Sequence, residues 1–256
     1  MTNSVAIVTG ASQGIGRSTA VRLARDFGRI ALVARNRTKL EETATAVAAA
    51  NAIPLVIDLD LSERSSAKAV VRRVISTFGR IDALINIAGA VPQIDLFEMT
   101  DEQWDSGLAL KLHGARRLTI EAWAALRDAR GSVVLMSGNS ALFPKAPYAA
   151  VGTINAAIVA LAKAFSDRGI TDGVQVNSVL PGPVLTGRRR SYLEHWASIH
   201  EMTVEEATEK FPREAGIARY GEPEEIAELI GFLVSPGARW MTGSTLRMDG
   251  GEVKSI

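Results

Sequence analysis

The sequence predicts an α/β fold, a doubly wound parallel sheet with helices on both faces. Three observations predict it. Short, unbroken apolar runs recur along the chain, most are followed by a longer segment with apolar residues at helical spacing, and the first run breaks into a glycine-rich turn before its helix. With 256 residues, 47% of them hydrophobic, the chain can bury one large core, so a single domain over 1–256 is expected.

Val5-Ala6-Ile7-Val8 is the first strand, stopping at Thr9-Gly10, and residues 15–27 form the first helix, closed by Gly28. Ile30-Ala31-Leu32-Val33 precedes a helix over about 38–50, Pro54-Leu55-Val56-Ile57 one over about 62–78, and Ala83-Leu84-Ile85 runs into Asn86. A long helix containing Ile120 and Leu126 leads to Ser132-Val133-Val134-Leu135-Met136. A helix over about 151–167 leads to a strand over 174–179. A helix over 224–233 and a strand over 244–248 close the pattern. Only the charged stretch of about 188–219 breaks the alternation, and it is read as a partly helical, substrate-side insertion over the binding face.

The formal net charge of +1 is too small for a field that tracks phosphates, so no nucleic-acid partner is expected. The absence of cysteine excludes disulfides, thiolate nucleophiles and cysteine-ligated zinc, and fits a reducing, cytoplasmic location. The first eight residues lack a basic region and a cleavage site, so no leader is expected. The most apolar helical stretch, about 154–165, is read as too short for a membrane span and carries Lys163. Small-molecule partners remain. His113, His195 and His200 have no metal-ligand spacing, so no metal is predicted.

After the first strand stands Thr9-Gly10-Ala11-Ser12-Gln13-Gly14-Ile15-Gly16, whose glycines permit a tight turn and bring backbone N–H groups toward a pyrophosphate at a helix N-terminus. Four further signatures follow: Asp60-Leu61 after the third strand, Asn86-Ile87-Ala88-Gly89 after the fourth, a segment from Asn177 through Pro181-Gly182-Pro183-Val184-Leu185-Thr186 after the sixth, and a tail ending Asp249-Gly250-Gly251. Together these motifs resemble the short-chain dehydrogenase/reductase family along essentially the whole chain, and with it the Rossmann-type fold.

The resemblance implies a dinucleotide site. Gly10, Ser12, Gln13, Gly14, Ile15 and Gly16 would meet the pyrophosphate, Asp60 and Leu61 the adenine, and Asn86, Ala88 and Gly89 the ribose side. Pro181, Gly182, Val184 and Thr186 would approach the nicotinamide amide. The second strand ends Val33-Ala34-Arg35-Asn36-Arg37, with no carboxylate for a ribose 2′-hydroxyl and with Arg35 placed to pair with a 2′-phosphate. NADP(H) is therefore expected over NAD(H). The resemblance also implies a homodimer or homotetramer, built on the helices that carry Arg116-Arg117 and the small-residue face Ala156, Ala160, Ala164.

At the chemical end the match fails. The family's Asn-Ser-Tyr-Lys set falls on Lys111, Gly138, Val151 and Asn155, counting from Trp104 and from the run Asn155-Ala156-Ala157-Ile158. Valine has no proton to exchange. Asn155 supplies no cation to a phenol, although its amide could hydrogen-bond a ribose hydroxyl. Substitutes within reach are Tyr148, one turn before Val151 if the helix starts at Pro147, together with Ser140, Ser137 and Lys111. Arg188-Arg189-Arg190 follows the nicotinamide-side loop and is either a solvated basic turn or a contact for an anionic substrate. Three readings stand: an oxidoreductase of unknown substrate with a non-standard active site, a non-catalytic dinucleotide-binding protein acting as sensor, scaffold or inactive subunit, or a fold turned to a non-redox reaction such as elimination or isomerisation, with turnover but no cofactor consumption.

Overall fold

The computed structural model describes residues 3–255. Met1, Thr2 and Ile256, the ends of the predicted domain and part of the segment read for a leader, lie outside the described residues. The strands are β1 (Val5–Thr9), β2 (Arg29–Ala34), β3 (Ile53–Asp58), β4 (Ala83–Asn86), β5 (Ser132–Met136), β6 (Gln175–Pro181) and β7 (Thr245–Met248). They form one parallel sheet in the order β3-β2-β1-β4-β5-β6-β7.

β1, β4, β5 and β6 are buried along their whole length, which is why they read as apolar runs without polar alternation. Side chains still alternate between the two faces. Val5 and Ile7 join a core with α3 (Ser66–Phe78), α5 (Ala115–Ala129) and α6 (Ala149–Asp172). Ala6 and Val8 join a second core with α1 (Gly14–Leu23), α2 (Arg37–Ala49) and α9 (Pro223–Leu233). The strand order reverses between β1 and β4, and in open parallel sheets the crevice at such a switch point is where ligands bind.

Three boundaries differ from the expected ones for local reasons. α1 ends at Leu23 rather than 27, where the chain turns out of the helix with the Asp26 and Phe27 amides both donating to the Leu23 carbonyl. α3 starts at Ser66 rather than near 62 because the Asp60 carboxylate accepts from the Ser62 amide (2.9 Å) and hydroxyl (2.7 Å), holding a turn open before the helix. α6 runs on to Asp172 and ends at Gly173, whose φ of +74° closes it in the left-handed conformation. Its length corrects one expectation. With the preceding turn the helical stretch Ala146–Asp172 spans 27 residues, long and apolar enough to cross a membrane by length and composition. In the fold Ile154, Ile158 and Ala162 are buried, as in the core helix of a layered protein, while Ala156, Ala160 and Ala164 are exposed.

Between α4 (Asp101–Gly107) and α5 the helix widens into a π-helical stretch, Leu108–Gly114. The charged segment after β6 folds as α7 (Gly187–Ile199) and α8 (Val204–Glu214), closed over a small core of Leu193, Ala197, Ala207 and Tyr220. Thr186 caps α7, and a Thr203–Glu206 capping box starts α8.

Candidate functional site

A cleft of about 540 Å³ opens at the switch point. At one end it is shaped by backbone. Gly10 has a φ of +67°, and a Cβ on Gly16 would stand 2.1 Å from the Gly10 carbonyl oxygen, so the turn closes only with glycine at both places. Buried Thr9 pins this turn to the β4 loop, its hydroxyl accepting from the Ile87 and Ala88 amides at 2.9 Å each. The Thr43 hydroxyl, on α2, donates to the Ala11 carbonyl at 3.0 Å.

Of the residues expected to hold a dinucleotide, Gly10, Ser12, Gln13, Gly14, Ile15, Gly16, Arg35, Asn36, Asp60, Leu61, Ala88, Gly89, Pro181, Gly182, Val184 and Thr186 line this cleft. Asn86 and Asn155 do not. Asn86 turns away toward α5, donating to the Thr119 hydroxyl at 3.2 Å. The Asn155 amide donates to the Ser140 hydroxyl at 2.9 Å, and its carbonyl oxygen is buried without a partner among the described residues. The Asn36 side chain caps α2, accepting from the Lys39 amide at 3.0 Å.

Arg35 and Lys39 stand at the β2 end of the cleft. Arg35 lies 3.5 Å from Asp60, and Lys39 donates to the Gln13 side chain at 3.0 Å. Burial opposes ionisation of Asp60, but the Ser62 hydrogen bonds and Arg35 outweigh it and hold the carboxyl below the usual range. The sequence reading missed Lys39, whose only signal was its place one turn beyond a strand end rich in basic residues.

The opposite end is made of side chains. The π-helical stretch carries Lys111 into the cleft, where its Nζ donates to the Ser137 carbonyl at 3.2 Å. Gly89 makes room for the lysine stem: a Cβ there would stand 2.9 Å from Lys111 Cδ. Burial, and then the nearby Arg188 charge, lower the pKa of Lys111 to about 7. Arg188 donates to the Gly89 carbonyl from across the cleft.

Gly138 and Asn155 meet one layer deeper. A Cβ on Gly138 would lie 2.6 Å from the Asn155 amide nitrogen, so Asn155 fills the space that a side chain at 138 would take. The Ser137 hydroxyl donates to the main-chain carbonyl of Asn155 at 2.7 Å, whereas the oxygen without a partner is that of the Asn155 side chain. Ser140 is buried in this layer and Tyr148 stands outside the cleft lining. The condition for a Tyr148 role is not met: a short 3₁₀ turn, Ala146–Tyr148, precedes α6, and Tyr148 has a φ of −151°, outside helical geometry. Burial, then Glu252, push its phenol above the ordinary value. Lys111 alone of Tyr148, Ser140 and Lys111 faces the cleft. Among the described residues no cluster of metal-ligating side chains occurs.

Residues 10–252 match a family model described as enoyl-(acyl carrier protein) reductase. The short-chain reductase protein NovJ of Streptomyces niveus is 30% identical over 248 residues, covering 97% of this chain and 93% of that protein. The L-sorbose reductase of Gluconobacter frateurii, solved with NADPH and L-sorbose, superposes with a TM-score of 0.94 at 28% identity, over 99% of this chain and 97% of that one. A variant of actinorhodin polyketide ketoreductase, solved with NADPH, gives 0.92 at 30% identity over 98% of each chain. With the sheet order, the glycine turn and these full-length matches in agreement, the chain belongs to the short-chain dehydrogenase/reductase family.

Proposed function

We propose that the protein is an NADP(H)-dependent oxidoreductase acting on a small carbonyl or alcohol substrate, with Lys111 in place of the family's usual proton carrier. The observation that carries this reading is the cleft, which runs unbroken from Arg35 and Lys39, past the glycine turn, to Lys111 and Ser137. The glycine cradle fits a pyrophosphate, since Gly10, Gly14 and Gly16 present backbone rather than side chains to the cleft at the start of α1. Two cations and no nearer acid than Asp60 at the β2 end suit a 2′-phosphate, and the solved relatives named above hold NADPH.

The nicotinamide, when bound, supplies the hydride. In reduction, the Lys111 ammonium gives one proton to the substrate oxygen as the carbonyl carbon gains hydride, then recovers a proton from solvent. A group with a pKa near 7 is suited to both steps. Ser137 holds the amine in place through its carbonyl oxygen.

One observation favours the non-catalytic alternative. Gly138 packs against Asn155, and Asn155 is hydrogen-bonded to Ser140, in a layer where the resemblance puts the family's acid machinery, and Val151 has no proton to give. Calorimetry with NADPH and NADH, followed by a carbonyl panel, separates the readings. NADPH should bind at least about tenfold more tightly than NADH. Equal affinities remove the cofactor preference, and tight NADPH binding with no turnover on any carbonyl supports the sensor or scaffold reading.

We further infer one domain over 1–256 with α7 and α8 as its substrate-side insertion, and a cytoplasmic location in keeping with the absence of cysteine. The exposed stripe Ala156, Ala160, Ala164 supports a homodimer or homotetramer, because small side chains let a partner helix approach closely. Light scattering showing a stable monomer at micromolar concentration removes the assembly.

A further inference from the structure

We infer that the substrate end of the cleft seats an oxyanion, a carboxylate or phosphate carried by the carbonyl substrate, against Arg188 and Arg189. The inference rests on the oxidoreductase reading for the reaction partner but not for the anion site itself.

Arg188 and Arg189 line the cleft beside Lys111 and Tyr192, whereas Arg190 stands outside the lining. None of Lys111, Arg188 and Arg189 is in an ion pair among the described residues. Asp60 is the one acid among the described residues that line the cleft, and it stands at the far end beside Arg35. Three cations thus share one end of a partly enclosed cleft with no acid among the residues that line that end, an arrangement that favours an anion there.

Arg189 has the sharper geometry. Its guanidinium lies over the rings of Tyr192 and Phe211, 5.0 and 4.9 Å from their centroids, and makes no hydrogen bond to another described side chain or carbonyl. The two rings, nearly perpendicular to each other, hold the guanidinium between them without taking its N–H groups, which can pair with two oxygens of an oxyanion. The chain has three tyrosines, and all three stand around this group: Tyr192 by stacking, Tyr148 and Tyr220 within its electrostatic reach. Burial pushes the phenols of Tyr148 and Tyr220 up, so neither becomes a counter-ion near neutral pH. The acid whose field reaches Arg189 is Glu252, and its carboxylate is taken by the Asn139 amide.

Calorimetric titration of the full chain saturated with NADP+ tests the inference through matched pairs. 2-Oxo-4-phenylbutanoate is set against its methyl ester, and dihydroxyacetone phosphate against dihydroxyacetone. In at least one pair the anion should bind about tenfold or more tightly than its neutral twin, and the pair with the larger ratio identifies carboxylate or phosphate. Arg189→Met keeps an apolar stem between the rings and should bring the ratio below about twofold with NADP+ affinity unchanged. Arg190→Gln should leave the ratio intact. If Arg189→Met fails to fold, Arg188→Gln carries the test. Equal affinities in both pairs, a preference surviving in both the 188 and 189 variants, or no binding of any probe at millimolar concentration overturns the inference. A preserved anion preference in a chain that binds no NADP+ overturns the cofactor reading and leaves the anion site standing.

Discussion

At the glycine-turn end of the cleft the backbone does the shaping: Gly10 turns through positive φ, Gly16 lets two segments touch, and Thr9 ties β1 to the β4 loop. At the other end side chains from the π-helical stretch, β5 and α7 meet, with Lys111, Ser137, Arg188 and Arg189 projecting into one space. The first end tolerates almost no change at Gly10 and Gly16, because a Cβ at either would press on backbone. The second is fitted side chain against side chain, as at Gly138, where the Asn155 amide fills the space that a Cβ would take. Shape and reactivity are therefore held by separate parts of the same site.

The largest effect that could break this comparison is at the backbone end. Gly16→Ala puts a Cβ 2.1 Å from the Gly10 oxygen and should weaken NADPH binding by about 100-fold or more, with a fall of several degrees in melting temperature. Near-wild-type affinity in calorimetry would refute the rigid-cradle account.

Lys111→Met should lower the rate of NADPH-dependent carbonyl reduction by about 100- to 10,000-fold while NADPH affinity changes little. In the parent protein the reduction rate should fall as pH rises through about 7, where the proton leaves. The same group affects stability with a definite sign. In the unfolded chain the amine stays charged to its ordinary pKa of 10.5, and in the folded chain only to about 7, so the unfolded state binds the extra proton between these values. Stability owed to this group rises with pH across that window. Urea unfolding should find the methionine variant more stable than the parent near pH 7, with the gap shrinking toward pH 10.

Gly138→Ser should cost about 1–3 kcal/mol, because its Cβ would lie 2.6 Å from the Asn155 amide nitrogen. Asn155→Ala in the same chain should recover part of it, and a double-mutant cycle with no coupling would mean that the two positions are not mutually fitted. The smallest effect is expected for Tyr148→Phe, with turnover within about threefold of the parent, since the phenol stands outside the cleft lining. A loss of two orders of magnitude would return the proton step to Tyr148.

How much of this was legible in the sequence follows the same division. The strand runs, the glycine turn and the Asp60-Leu61 and Pro181-Gly182 signatures depend on backbone needs that few residue types can meet, so they read directly from the chain. Sixteen of the eighteen residues expected at a dinucleotide line the cleft, and the two that do not, Asn86 and Asn155, are those whose side chains had a nearer hydrogen-bond partner. Lys39 was not legible because its reach depends on the helix that Asn36 caps. Arg188 and Arg189 stand out in the sequence only as part of a basic run, and the fold separates these two, which line the cleft, from Arg190, which does not. The π-helical stretch has no signature in residue type at all. The expected end of α6 near 167 failed because Gly169 and Ile170 continue the helix as well as they would end it.

The wide turn that carries Lys111 also has a bearing on descent. A helix with an inserted residue can absorb it as a π turn rather than rotate everything downstream. Deleting one residue within 108–114 would restore ordinary winding there and leave the flanking helices as they are, while the residues inside the stretch shift by one position. A one-codon change in this stretch could thus exchange the group offered to the cleft without disturbing either flanking helix, and relatives that gained or lost such a codon should differ in their proton chemistry more than their overall sequence distance suggests.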